Sequence, residues 1–135
     1  MTNRLFATRR LHLLCVIVPS LCMSNAHAGP ALEYRFEAAA QEITQLFWLA
    51  DTANVCGWAS EGDAAKFKQF SVRFLSAHLP EIQRRALLTL VQEDGYEDLV
   101  KRTALETAPN NCASPRWKVG WSTYWNAAEA HAAEY

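Results

Sequence analysis

Seven apolar residues, Leu32, Phe36, Ala39, Ile43, Leu46, Ala50 and Ala53, follow one another at steps of 4, 3, 4, 3, 4 and 3. Steps of three and four put all seven on one stripe of a long α-helix, and Phe47 widens the stripe. Pro30 stands near the start, where its missing N–H costs nothing, and Glu33 and Glu37 suit the positive end of the helix. Gly57 is placed to stop it. No stretch beyond residue 28 alternates apolar and polar residues long enough to make a strand. The sequence therefore predicts an all-α fold, a small single-domain bundle of about five helices.

Four further helices complete the expectation. Ser60-Glu61-Gly62-Asp63 supplies start signals for a second, whose inward face is read as Phe67, Phe70, Phe74 and Ala77. A third, about Pro80 to Glu93, turns Ile82, Ala86, Leu87, Leu90 and Val91 inward and Arg84 and Arg85 outward, with Gly95 as its cap. A short fourth runs from about Tyr96 to Thr107, with Tyr96, Leu99, Val100 and Ala104 on one side, and Pro109-Asn110-Asn111 ends it. Ser114-Pro115 reads as a cap and first turn of a fifth helix, which carries Trp117, Trp121, Tyr124, Ala128 and Ala132. Gly120 lies inside that helix and weakens it by about 1 kcal/mol relative to alanine.

The first 28 residues read differently. Arg4, Arg9 and Arg10 make a positive start. Leu11 to Met23 is an apolar stretch of 13 residues, and Ala26-His27-Ala28 offers small residues for a signal peptidase. A membrane-spanning helix needs roughly 20 residues, so the segment is read as a cleavable signal peptide, cut between Ala28 and Gly29. Residues 29–135 are then the helical domain, and its location periplasmic or secreted. No stable membrane span is expected after cleavage. Three of the 13 basic residues leave with the signal and all 14 acidic ones stay, so 10 basic residues face 14 acidic ones, a net charge of −4. Such a chain offers no attraction for nucleic acid or for an anionic membrane surface.

Cys15 and Cys22 lie in the signal, which leaves Cys56 and Cys112. An even pair in an oxidising compartment is expected to form a disulfide. It ties the end of the first helix to the loop before the fifth, so those two helices meet although distant in sequence. Helices two to four form an excursion between the cysteines.

Chemistry-bearing residues are few. His78 and His131 lie in different helices without a carboxylate or cysteine at ligand spacing. No Gly-x-Ser-x-Gly is present, and the disulfide removes the thiols as nucleophiles. Glu93-Asp94-Gly95-Tyr96-Glu97-Asp98 lacks the alternating ligand pattern of helix–loop–helix calcium sites; Glu97 and Asp98 suit a helix start instead. Asp51 lies near the apolar stripe of the first helix, and a buried carboxylate there is a candidate acid or base, but no partner for it is visible. Arg84-Arg85 and Lys101-Arg102 read as solvated helix faces. No catalytic residue, metal ligand set or cofactor is therefore predicted.

Tryptophan is the compositional feature that remains, with five residues, all beyond residue 28. Trp117, Trp121 and Trp125 share one face of the last helix. Aromatic stripes at helical spacing usually pack inward, but residues 121, 124 and 125 cover a wide arc for one helix of a small domain to bury. The expected contact surface is thus Trp121, Tyr124 and Trp125. The sequence predicts an exported, non-enzymatic protein that acts by contact with an unidentified envelope or secreted protein, as an envelope accessory or inhibitor. The competing class is a small periplasmic enzyme or ligand-binding protein with a helical cleft. A deep polar pocket of converging ionisable groups would favour that class, and an exposed apolar patch around the last helix would favour the first.

Overall fold

The computed structural model describes the backbone of residues 30–134 and the side chains of residues 35–134. The expected signal peptide and its cleavage point lie outside the described residues, as does the Leu32 side chain. Five helices follow in order: α1 (Pro30–Val55), α2 (Glu61–Ala77), α3 (Glu81–Val91), α4 (Tyr96–Asn111) and α5 (Pro115–His131). There is no strand among the described residues. From Arg35 onward the chain packs as one unit.

The turn signals act as their chemistry requires. Gly57 adopts a φ of 71°, which side-chain-bearing residues rarely do, and this lets the Trp58 N–H fold back onto the Ala53 carbonyl at 2.8 Å to close α1. Ser60 caps α2: its Oγ accepts from the Asp63 N–H at 3.1 Å and donates to the Asp63 carboxylate at 2.7 Å. Gly95, at φ 83°, is the N-terminal cap of α4 rather than the cap of α3, which already ends at Val91 with Gln92 after it. Ser114 occupies the cap position of α5 and Pro115 its first turn, but the Ser114 hydroxyl makes no capping bond.

Two core clusters share α1. In the first, Leu49, Ala50 and Ala53 of α1 meet Ala64 and Phe67 of α2 and Trp121 and Ala128 of α5. In the second, Ile43 and Phe47 of α1 meet Leu75 of α2, Leu87 of α3 and Val100 of α4. Every residue from Leu49 to Ala53 is buried, so α1 is a central helix whose C-terminal half is enclosed nearly all round, rather than a surface helix with one buried stripe. Cys56 and Cys112 are joined, with Cα atoms 5.2 Å apart. The first and last helices meet as expected, with Trp48 and Trp117 edge to face at 4.9 Å.

Several inward faces differ from the sequence reading. On α2 the buried set is Ala64, Phe67, Ser71, Leu75 and Ser76, whereas Phe70 is only partly buried and Phe74 and Ala77 are exposed. Small side chains at 64 and 71 let α2 approach its neighbours. The Ser71 hydroxyl loses nothing by burial because it donates to the Phe67 carbonyl at 2.8 Å. On α3, Leu87 and Gln83 are buried while Ile82 is 69% exposed. On α4, Val100, Ala104 and Ala108 face the core and Leu99 is exposed. That helix also runs past Thr107 and through Pro109 to Asn111. A proline this close to the end forfeits one backbone bond, and the next turn still closes, the Cys112 N–H donating to the Ala108 carbonyl at 2.8 Å.

Candidate functional site

Two grooves run along opposite sides of α1. The first lies between α1 and α5, encloses about 540 Å³, and is walled by Leu46, Trp48, Trp117 and Tyr124, with Gln41, Glu42 and Gln45 on its lining. Trp48 and Trp117 are partly buried against the first core cluster. The Arg116 guanidinium lies over the Trp117 ring, 5.7 Å from its centroid. Tyr124 is 53% exposed, and Val119 on the same helix is exposed too.

The aromatic residues expected to form a contact surface are therefore divided. Trp121 is 5% exposed and belongs to the core: α2 lies against this face of α5, and Phe67 packs on Trp121 at 5.1 Å between ring centroids. An outward-facing Trp121 is corrected on that ground. Trp125 stacks on Trp121 at 5.5 Å and is partly buried. Tyr124 alone of the three is exposed. Trp48 supplies the other wall of the groove. The sequence reading missed it because position 48 lies off the stripe of the first helix.

The second groove lies between α1, α2 and α4, encloses about 420 Å³, and contains charge. Asp51 is buried there, and its partner is Lys68: Nζ to Oδ1 is 2.8 Å, with side chains 8% and 13% exposed. Lys68 also reaches Glu97 Oε2 at 3.5 Å and lies 5.2 Å from the centroid of the Phe47 ring. One ammonium thus serves two carboxylates on two other helices. Asp51 Oδ2 is buried without a hydrogen-bond partner. Burial pushes the Asp51 carboxyl above its ordinary range, more than the hydrogen bond and charge of Lys68 pull it down. Along the same side of α1, the Thr44 and Tyr96 hydroxyls are hydrogen-bonded at 2.8 Å, and burial raises the Tyr96 phenol.

Lys68 has a signal in the sequence. Ala64, Lys68, Ser71 and Leu75 are spaced 4, 3 and 4, so the residues that face the core carry Lys68 with them. Choosing the phenylalanines as the face conceals this.

The remaining candidates stay local. His78 Nδ1 lies 2.7 Å from the Phe74 carbonyl at the end of α2, and His131 Nδ1 lies 3.0 Å from Glu134. No three His, Cys, Asp or Glu side chains among the described residues are placed to hold a metal ion. No helix among them is long and apolar enough to cross a membrane. Comparison of the chain with protein-family models, curated proteins and solved structures gave no match.

Proposed function

We propose that this is an exported, non-enzymatic helical protein that acts through protein–protein contact, as an envelope accessory or inhibitor-type protein, with the groove between α1 and α5 as its contact surface. The observation that carries the reading is Tyr124, exposed beside Trp48 and Trp117 in a concave aromatic surface. Aromatic side chains that offer large area at low entropic cost are what binding surfaces favour. The disulfide and the signal-like first 28 residues support export, and cleavage after Ala28 is part of the proposal.

The test is comparative. The protein recovered from the envelope of its own organism begins at Gly29 by mass analysis, and it brings down a companion that Tyr124→Ser loses while its melting temperature stays the same. Retention of Met1, or equal recovery of every companion by Tyr124→Ser, overturns the corresponding part.

A second reading, a small ligand-binding protein or enzyme with a helical cleft, is favoured by the ionisable groups that converge on Asp51 and Lys68. Saturable uptake of a small molecule in that groove, by protein with an intact aromatic surface, is the result that would install it.

A further inference from the structure

The charged groove has an unbalanced lining. It holds four carboxylates, those of Asp51, Glu61, Glu97 and Asp98, against the two ammonium groups of Lys68 and Lys101. Lys68 is already committed to Asp51 and Glu97. Glu61 and Asp98 have no ion-pair partner among the described residues. Asp51, more than nine-tenths buried at the groove lining, gives one oxygen to Lys68 and keeps the other enclosed with no donor. A concave site with surplus acceptors and surplus negative charge is complementary to a cation that brings N–H donors.

The apolar part of the lining narrows the class. Val72 and Val91 lie in the same groove as the carboxylates, while Phe47 at its floor is buried beneath the Lys68 ammonium. A bare metal ion has no use for the valines, whereas a side chain with a hydrocarbon stem and a charged head uses both. Arginine suits this lining better than lysine. Its planar head offers five donors and is more weakly hydrated than an ammonium, and the amide side chains of Gln69 and Gln92 share the lining with the carboxylates.

We infer that the α1–α2–α4 groove receives the guanidinium of an arginine side chain presented by a protein partner, the stem along Val72 and Val91 and the head among Glu97, Glu61 and Asp98. The inference rests on the reading of the protein as one that acts by protein contact, and adds a second, polar anchor on the other side of α1. Lys68 positions the site: it holds Asp51 of α1 and Glu97 of α4 on one ammonium.

The experiment needs no identified partner, so it fails or succeeds separately from the test at Tyr124. An acetylated, amidated tripeptide with a central arginine is titrated into the isotope-labelled protein, and backbone amide shifts are followed by NMR. The same peptide with citrulline, which has the shape without the charge, is the control. Saturable shifts at Lys68, Glu97 and Asp98 are expected with the arginine peptide only, weakening as salt is added. Glu97→Gln, at an exposed position, weakens binding by about tenfold, the scale of one charge-assisted hydrogen bond, and its melting temperature is read alongside because Glu97 pairs with Lys68. Glu61→Gln gives an independent second variant. Equal shifts with citrulline, shifts confined to the Tyr124 side, or indifference to both variants overturns the inference. Tighter binding of free arginine than of the peptide also overturns it, because the site would then be built for a small molecule.

Discussion

Along one side of α1 the groove is walled by Trp48, Trp117 and Tyr124 and holds a single carboxylate, Glu42; along the other it holds four carboxylates and two ammonium groups. The aromatic groove is assembled from side chains that also pack on the core, so holding the fold and offering a surface are the same act there. The charged groove is different. Placing Asp51 and Lys68 where water is largely excluded costs solvation that their mutual attraction only partly offsets, and a matched apolar pair would commonly hold the helices as well. The contrast sets tryptophans that pack on the core against an ion pair whose burial opposes its own charge.

The largest effect that bears on this contrast is expected at Lys68. Lys68→Met removes the partner of a buried carboxylate and is expected to lower stability by about 3–5 kcal/mol. Asp51→Leu combined with Lys68→Met should recover most of that loss in urea unfolding. A double variant as unstable as the single one would mean that the ion pair is structural, and the comparison would collapse. Trp125→Ala comes next. Its ring is partly buried on Trp121, so a loss of about 2 kcal/mol is expected, less than for a fully buried tryptophan. A change within error would show that Trp125 belongs to the free surface after all.

A smaller effect concerns pH. Burial raises the Asp51 carboxyl above 3.8 in the folded state. The folded protein therefore holds this proton more tightly than the unfolded chain does. The stability it contributes is fully present below the unfolded value and is lost as pH rises through the folded one. Wild type should thus gain stability relative to Asp51→Asn on acidification from neutral pH toward 4, as read from urea midpoints at each pH. The opposite slope would mean that Lys68 outweighs burial. The smallest effect is at Tyr124: Tyr124→Ser should move stability by less than about 0.5 kcal/mol while removing partner contact.

Much of this was legible in the chain. The helix count, the glycine stop at 57, the Ser60 cap and the Cys56–Cys112 pairing all follow from local chemistry or from Cys56 and Cys112 being the two cysteines beyond residue 28, whereas Gly95, expected to cap the third helix, stands instead at the N-terminal cap of α4. What escaped were choices between adjacent faces. On α2, Phe67, Phe70 and Phe74 look like a core stripe, but the helices come together where Ala64 and Ser71 are small, and this turned Lys68 toward Asp51. Ile82 and Gln83 exchange places for the same kind of reason: on a short helix a rotation of one residue decides which is covered, and only the neighbours fix it. Asp51 could be singled out as a buried carboxylate, but its partners on α2 and α4 become visible only when three helices meet. Tyr124 could be placed on a crowded aromatic arc, whereas the burial of Trp121 depended on a ring from α2.

The covalent link between Cys56 and Cys112 also sets how the molecule would carry a mechanical load. A pull applied at Arg35 and Glu134 travels along α1, crosses the sulfur–sulfur bond and continues through α5. Helices α2, α3 and α4 lie off that covalent line as a closed loop and are loaded only through their packing on α1. While the disulfide holds, the covalent path can lengthen only in α1 and α5, and the charged groove loses its α1 wall as α1 is drawn out. Both walls of the aromatic groove lie on the loaded path, whereas the charged groove has one wall on it and two in the closed loop.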